Sequence, residues 1–225
     1  MKNFSDRKIV QSWQKNAQPW VAAVRRGEIE SRVLVTNNAI LDAILQTAPK
    51  TVLDVGCGEG WLVRELGKAG INALGIDVVP ELIDAATQAG GGRFKRLAFE
   101  ELSADVMHEK FDVMVANFSL LGHESVEHVF QQAPLLLNTG GAFIVQTLHP
   151  VAGGGEGPYA DGWRESSWTG FSDQFSDPAP WYFRTLETWA SLFQASGLQL
   201  NELVEPLNPK TKNPASVIFT GVLAG

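Results

Sequence analysis

The sequence predicts an α/β fold in which helices cover both faces of a parallel β-sheet. Three observations predict this fold class. Short apolar segments alternate with helix-forming segments through the middle of the chain. The first apolar segment runs into a glycine-rich corner at residues 54–60, and the second ends in the acid Asp77. We therefore expect a ligand at the carboxyl edge of the sheet.

The N-terminal segment is predicted to be helical. Apolar side chains recur at helical spacing within residues 5–47, although Pro19, which lacks an amide proton, should break or kink the segment. A second helical stretch is expected over residues 29–45. We predict that residues 1–48 form a helical cap and that residues 49–225 form the main domain.

The alternating units follow this cap. Strands are predicted at 51–55, 72–76, 93–98, 111–116 and 142–148, with helices at 60–69, 80–89 and 125–137. Pro80 suits the first turn of the second of these helices, whereas Pro134 conflicts with the third and is expected to kink it. Residues 138–141 (Asn-Thr-Gly-Gly) form the predicted turn before the fifth strand.

Residues 150–181 interrupt the alternation with six glycines, four prolines and three tryptophans in no periodic pattern. A loop of this length is usually a functional lid or is disordered, and its aromatic residues favour a lid. Thr185 can cap a helix that ends before Gly197. Two closing strands, 198–205 and 216–223, should pair antiparallel because the loop between them is too short for a crossover helix.

Composition indicates a cytoplasmic protein. The 225 residues fit one domain with a large core, and the net charge of −7 argues against a nucleic-acid partner. A single cysteine fits a reducing compartment. There is no apolar run of about 18 residues and no signal-peptide core, so we expect no membrane partner. No histidine pair has metal-ligand spacing, so we predict no metal; we expect a monomer or homodimer.

The glycine-rich corner is the strongest ligand signal. Gly56, Gly58 and Gly60 stand at alternate positions, and glycine permits positive φ and close approach of bare backbone to a ligand. The rival ligands are a dinucleotide, a mononucleotide phosphate and a nucleoside without phosphate. The spacing differs from the G-x-G-x-x-G of dinucleotide sites, and no G-x-x-x-x-G-K phosphate-binding run occurs.

Acidic residues narrow this choice. Asp54 precedes the corner and Glu59 lies inside it, so a pyrophosphate would be repelled at short range. S-adenosylmethionine (SAM) has no phosphate, and Asp54 can hold its ammonium group. Asp77 ends the second apolar segment, where it is placed to accept hydrogen bonds from ribose hydroxyls. Each acid has a structural alternative, because Asp54 can cap the loop and Asp77 can cap the helix at Pro80.

Four segments resemble motifs of class I SAM-dependent methyltransferases, especially small bacterial ones that act on small molecules. They are residues 53–60 (LDVGCGEG), 75–77 (GID), 99–102 (FEEL) and 111–118 (FDVMVANF). The resemblance implies a Rossmann-like, doubly wound, seven-stranded sheet that is mostly parallel with an antiparallel C-terminal strand. It also implies SAM as the cofactor and S-adenosylhomocysteine (SAH) as the product.

The corner and the resemblance together imply a set of cofactor contacts. Phe99 and Glu100 would line the adenine, and Arg32 would reach the SAM carboxylate. The alternatives are that Phe99 belongs to the core, that Glu100 is a surface acid and that Arg32 shares a solvated helix face with Glu28. Asn117, at the end of the fourth strand, can simply stabilise a turn. The predicted cofactor-binding residues are Arg32, Asp54, Gly56, Cys57, Gly58, Asp77, Val78, Phe99, Glu100, Asn117 and Phe118.

His149 is the predicted catalytic residue. It ends the fifth strand immediately before the aromatic loop, so we expect it at the mouth of the site. A histidine there could take a proton from a substrate hydroxyl or amine. The alternative is a histidine that bonds a backbone carbonyl at the strand end.

The sequence therefore predicts a methyltransferase that moves a methyl group from SAM to a small, uncharged or weakly acidic acceptor. The lid at residues 150–181 and the N-terminal helices would form the acceptor pocket. Two alternatives stay open. One is a SAM-binding sensor without chemistry, and the other is a nicotinamide-dependent oxidoreductase, which the glycine spacing disfavours.

Overall fold

The computed structural model describes residues 4–155 and 157–224. Its helices are α1 Asp6–Arg25, a π-helical turn Arg32–Thr36, α2 Asn37–Leu45, α3 Trp61–Lys68, α4 Pro80–Ala89, a 3₁₀ turn Phe99–Glu101, α5 Ala104–Met107, α6 Glu124–Leu136 and α7 Leu186–Ala195. Its strands are β1 Thr51–Val55, β2 Asn72–Asp77, β3 Arg93–Arg96, β4 Phe111–Asn117, β5 Leu137–Thr147, β6 Gly162–Arg164, β7 Trp181–Phe183, β8 Leu198–Val204 and β9 Val217–Leu223.

Seven strands form the main sheet in the order β3-β2-β1-β4-β5-β9-β8. Strands β1 to β5 are parallel, and β9 runs antiparallel to both of its neighbours. The order reverses at β1, because β2 lies on one side of it and β4 on the other. Sheets of this kind bind ligands outside the carboxyl ends of the strands at such a reversal. The predicted fold, including the antiparallel C-terminal strand, is confirmed.

The sheet is apolar on both faces. In β1, Val52 packs into the layer formed by α2 and α3, whereas Leu53 packs into the layer that contains α6 and α7. Strands covered on both faces read as continuous apolar runs, which explains the absence of alternation in the sequence. Helix α1 packs beside the start of α4, where Ala17 meets Val79 and Leu82. It thereby lies next to the carboxyl edge of β2.

Helix α1 is not broken at Pro19. The helix runs without interruption from Asp6 to Arg25, so of the two predicted effects of Pro19 the break is wrong and the kink stays a prediction. Helical stability in proteins comes mainly from packing, and the buried Ala17 with the neighbouring Trp13 and Trp20 supplies that packing on both sides of the proline. The second predicted helix is divided, because the π-helical turn precedes α2.

Strand β5 begins at Leu137, whereas the sequence predicted a start at residue 142. The pairing with β4 jumps from Phe111–Leu137 to Val113–Ala142, so residues 138–141 form an irregularity within the strand rather than a separate turn. The loop after β5 also contains regular structure, since β6 pairs antiparallel with β7. None of the described helices is long and apolar enough to cross a membrane.

We expect Gly60→Ala to destabilise the fold more than Gly70→Ala. Both glycines have a φ of 80°, but a Cβ on Gly60 would lie 2.6 Å from Phe94 Cε1, whereas a Cβ on Gly70 would meet no atom within 4 Å. Each variant pays the left-handed backbone cost of roughly 1–2 kcal/mol. The Gly60 variant adds a steric cost of roughly 1–3 kcal/mol. Chemical denaturation measures the free energy of unfolding of both variants. An equal loss of stability in the two variants would contradict the predicted clash with Phe94.

Candidate functional site

A cavity of about 400 Å³ lies at the carboxyl ends of β1, β2 and β4, where the strand order reverses. All of the predicted cofactor residues line it: Arg32, Asp54, Gly56, Cys57, Gly58, Asp77, Val78, Phe99, Glu100, Asn117 and Phe118. They come from the π-helical turn, from the carboxyl ends of β1, β2 and β4, and from the loops that follow β1 to β4. The sheet order therefore gathers residues that are widely separated in sequence.

The glycine-rich corner needs glycine for steric reasons. Gly56 has a φ of 79°, and a Cβ on it would lie 2.3 Å from Ser119 Cβ. The amides of Gly56 and Cys57 both donate to the Ile76 carbonyl oxygen, at 2.8 and 2.9 Å. The corner is thus fastened to β2 while its bare backbone faces the cavity.

Asp77 organises this corner as well as lining the cavity. Its Oδ2 accepts a hydrogen bond from the Gly58 amide and its Oδ1 from the Val79 amide, both at 2.9 Å. Burial raises the pKa of Asp77, and the amides of Val79 and Gly58 oppose the rise. The structural alternative from the sequence therefore holds in part, because Asp77 orders the turn before α4. Each carboxylate oxygen keeps capacity for a further donor.

Asp54 is a buried carboxylate that lacks a hydrogen-bond partner at Oδ1 among the described residues. The residue is 2% exposed. Burial, and then repulsion by Asp77, raises the pKa of Asp54 to about 7, and Arg32 opposes the rise. It does not cap the loop, since no loop amide bonds to it. A cationic ligand would supply the compensation that the protein leaves incomplete.

Arg32 lies in the cavity wall and not on a solvated face. Its guanidinium carbon is 5.7 Å from the Trp20 ring centroid and 5.3 Å from that of Trp61. Its Nε donates to Asn37 Oδ1 at 3.2 Å. Burial lowers the pKa of Arg32, and Glu59 and Asp54 oppose this. The predicted surface partner, Glu28, pairs with Arg26 instead.

The remaining predicted contacts form the walls. Burial raises the pKa of the Cys57 thiol well above its ordinary value, so Cys57 fills space beside Gly75 as an uncharged group. Phe99 is half-buried against the core, and Glu100 is exposed at the rim. Asn117 Oδ1 is buried with no hydrogen-bond partner among the described residues.

Phe118 has a φ of 55°, an uncommon conformation for a residue other than glycine. Its amide donates to the Gln146 carbonyl oxygen at 2.8 Å, which holds the backbone in this conformation at the end of β4. Backbone strain of this kind costs on the order of 1–3 kcal/mol and persists where surrounding structure fixes it. The strained residue lies in the cavity lining.

Glu59 is compensated within the protein. Its carboxylate accepts from Arg25 Nε at 2.9 Å and from Arg64 Nη2 at 2.6 Å, and the side chain is 1% exposed. Its charge therefore does not act alone on a ligand, contrary to the expectation that it helps to repel a pyrophosphate. Asp54 keeps that role. Glu59 instead ties α1 and α3 to the glycine-rich corner.

His149 does not line the cavity, so its predicted position at the mouth of the site is wrong. Its Nε2 lies 2.5 Å from Glu205 Oε1, and its Nδ1 accepts from the amides of Val151 and Ala152 at 3.2 and 3.0 Å. The adjacent Leu148 faces the cavity instead. Both ring nitrogens of His149 are engaged, as in a histidine that orders a strand end.

Aromatic side chains from α1 and the long loop close the cavity. Trp13 and Trp20 are edge-to-face at 4.9 Å, and Trp168 lies 5.8 Å from Trp13. Phe171 lies 6.5 Å from Trp20. We name residues 165–177 the aromatic strap. Trp13 and Trp20 line the cavity and also pack against the apolar cluster of Ala17, Val79 and Leu82.

Comparison with known proteins gives the family. A family model described as a methyltransferase domain matches residues 31–203. The chain belongs to the class I SAM-dependent methyltransferase family.

Individual relatives of this chain are distant. An uncharacterized methyltransferase of Mycobacterium bovis is 28% identical over 132 residues, covering 58% of this chain and 61% of the relative. The mitochondrial ubiquinone biosynthesis O-methyltransferase of Homo sapiens is 30% identical over 200 residues, covering 76% of this chain and 50% of the relative. The chain thus spans about half to three fifths of these relatives.

A solved structure shares the fold. The Burkholderia thailandensis 1,6-didemethyltoxoflavin-N1-methyltransferase, with bound 1,6-didemethyltoxoflavin and SAH, has a TM-score of 0.62 and 20% identity. The match covers 94% of this chain and 88% of that one. At this identity the likeness concerns the fold.

The residues that line this cavity fit the family cofactor. Among the described residues, Asp54 Oδ1 has no hydrogen-bond donor, and the ammonium of SAM is a donor of the right charge. Gly58 leaves open space beside the cavity, where an added Cβ would meet Trp20 Nε1 at an ordinary distance of 3.6 Å. Asp77 keeps acceptor capacity for ribose hydroxyls, and Arg32 offers a cation for a carboxylate.

We expect SAH affinity to fall below pH 7 through Asp54. The carboxyl pKa of about 7 means that acid protonates the group that holds the ammonium. Affinity should fall by up to about tenfold per pH unit, and Asp54→Asn should bind weakly with no such dependence. Calorimetry between pH 5 and 7.5 measures this. A wild-type acid limb that persists unchanged in the variant would contradict the assignment.

Proposed function

We propose that this protein transfers a methyl group from SAM to a small-molecule acceptor. The observation that carries the proposal is the division of one cavity along the sheet edge. Buried acids stand at the ends of β1 and β2, and apolar or aromatic groups stand beyond β4 and β5. Charged cofactor groups would bind the first half and the acceptor the second.

In the cofactor half, each group of SAM meets a side chain of suited chemistry. Asp54 would hold the ammonium, and Arg32 would hold the carboxylate. Asp77 would accept from the ribose hydroxyls, while the backbone at Gly58 allows close approach. Bound SAM supplies an activated methyl group, so the protein's task is to orient the acceptor in line and exclude water.

The acceptor half suits a planar, uncharged molecule. Trp13, Trp168 and Phe171 supply flat apolar walls, and Leu121 and Leu148 extend the apolar lining. Two relatives support a small-molecule acceptor by their names, a methyltransferase of ubiquinone biosynthesis and one that holds 1,6-didemethyltoxoflavin. Neither acceptor is assigned to this chain.

Among the described residues of the acceptor half, Asp6 is the titratable side chain, and it is already engaged. Its Oδ1 accepts from the His123 amide at 2.9 Å and its Oδ2 from the Ser125 amide at 2.7 Å, at the start of α6. Asp6 therefore serves as a helix cap. We expect an acceptor whose nucleophilic atom needs no strong base, such as an amine, a ring nitrogen or an acidic hydroxyl.

Other expectations stay predictions. They are the division into residues 1–48 and 49–225, the cytoplasmic location, the monomer or homodimer, and the lack of a metal or a nucleic-acid partner. The sensor alternative also stays open, because the same contacts would bind SAM without turnover. Formation of SAH from SAM with a pooled metabolite extract would exclude the sensor, and its absence across extracts would favour it.

We expect Asp77→Ala to weaken SAM binding by at least about tenfold, the equivalent of 1.4 kcal/mol, because it removes the ribose acceptor. Asp112→Ala is the matched control. Asp112 also accepts two backbone amides, from Lys50 and Thr51 at 2.8 and 3.1 Å, but it does not line the cavity.

Calorimetry measures the affinities of both variants and of the wild type for SAM, SAH and NAD. Equal loss of SAM affinity in the two variants would show that Asp77 acts only through stability. Micromolar NAD binding without SAM binding would favour the oxidoreductase and defeat the proposed function.

A further inference from the structure

We propose that Asn16 is a positioning residue for the methyl acceptor, because it fixes Trp168 as a wall of the acceptor half. This role rests on the proposed function, since it concerns the same cavity. Trp168 lines the cavity from the aromatic strap. Asn16 lies on α1, on the stripe that also carries Trp13 and Trp20.

Asn16 is 0% exposed, in the middle of a helix, where asparagine is a poor helix former and a buried amide needs partners. Its Nδ2 donates to the Ser176 carbonyl oxygen at 2.7 Å, and its Oδ1 accepts from the Ser176 amide at 2.9 Å. Nδ2 also donates to the Ser12 carbonyl oxygen at 2.8 Å. The side-chain amide of Asn16 thus pairs with the strap backbone as a neighbouring β-strand would. Rotation of this side chain would break all three hydrogen bonds.

Ser176 transmits this constraint to Trp168. The carbonyl oxygen that Asn16 holds also accepts from Trp168 Nε1 at 3.0 Å. The indole is further held between Trp13 at 5.8 Å and Phe175 at 4.7 Å. With one edge bonded and two sides packed, the indole presents a fixed flat wall, which suits a planar ring better than a puckered one.

The chain supplies a matched control one residue away. Lys15 pairs with Asp177, and the two side chains are 57% and 60% exposed. Exposed pairs contribute little to stability. Lys15→Ala therefore removes a contact between the same helix and the same strap without touching Ser176 or Trp168.

The first test is calorimetry on SAH-loaded protein, with indole as a planar probe and cyclohexanol as a puckered one. Wild type should prefer indole, and Asn16→Leu should weaken indole binding at least about tenfold while Lys15→Ala stays within about twofold. Asn16→Leu with Trp168→Ala should bind indole no more weakly than Trp168→Ala alone, because Asn16 acts through Trp168. Additive losses of indole affinity in the double variant would overturn the proposal. It would also be overturned if the wild type failed to bind indole, or bound cyclohexanol as tightly as indole.

The second test needs no acceptor. The near-ultraviolet circular dichroism of wild type minus that of Trp168→Phe isolates the Trp168 signal. In the Asn16→Leu background, or Asn16→Ala if the leucine variant does not fold, this difference signal should vanish. Its persistence would overturn the positioning role. Failure of wild type to bind SAH would instead defeat the proposed function, while this spectrum would still decide the role of Asn16.

Discussion

Two buried carboxylates at neighbouring strand ends, Asp54 and Asp77, set the constraint that organises this structure. The protein compensates them unequally. Asp77 accepts hydrogen bonds from two backbone amides, whereas Asp54 Oδ1 has no partner in the described part of the chain and its charge is opposed only by the electrostatic effect of Arg32. Burying a charge without partners is costly, and burial raises the pKa of Asp54 to about 7. In the proposed function a ligand ammonium would compensate the Asp54 carboxylate, so the same group would be a cost for folding and a source of cofactor affinity.

Helix α1 connects the two halves of the cavity. At the start of α1, Asp6 caps α6, and in the middle of α1, Asn16 binds the aromatic strap. At the end of α1, Arg25 donates a hydrogen bond to Glu59 in the glycine-rich corner. The side chains between these anchors, including Trp13 and Trp20, line the cavity. Helix α1 therefore contacts both the glycine-rich corner and the aromatic strap, and it can do so because it is continuous through Pro19.

The sheet and the cofactor half of the cavity could be predicted from the sequence because both depend on residues that are close together along the chain. Apolar runs, the glycines at 56, 58 and 60, and Asp77 at a strand tip each have a short-range cause, and the structure brings these residues into one cavity. The acceptor half depends on contacts across more than a hundred residues, such as Asn16 with Ser176. His149 was misplaced for this reason: the strand end was found, but the side-chain direction is set by Glu205. In the sequence, the strap contact is marked only by an asparagine, Asn16, at helical spacing from Trp13 and Trp20.

We propose above all that Asp54 receives the ammonium of the cofactor. Carbon-detected NMR of the Asp54 carboxyl group, titrated with pH in free and SAH-bound protein, tests it most directly. We expect a pKa of about 7 for Asp54 in the free protein, because burial raises it, and a much lower pKa in the complex, where a cation would stabilise the carboxylate. A pKa that stays near 7 when SAH is bound would contradict it.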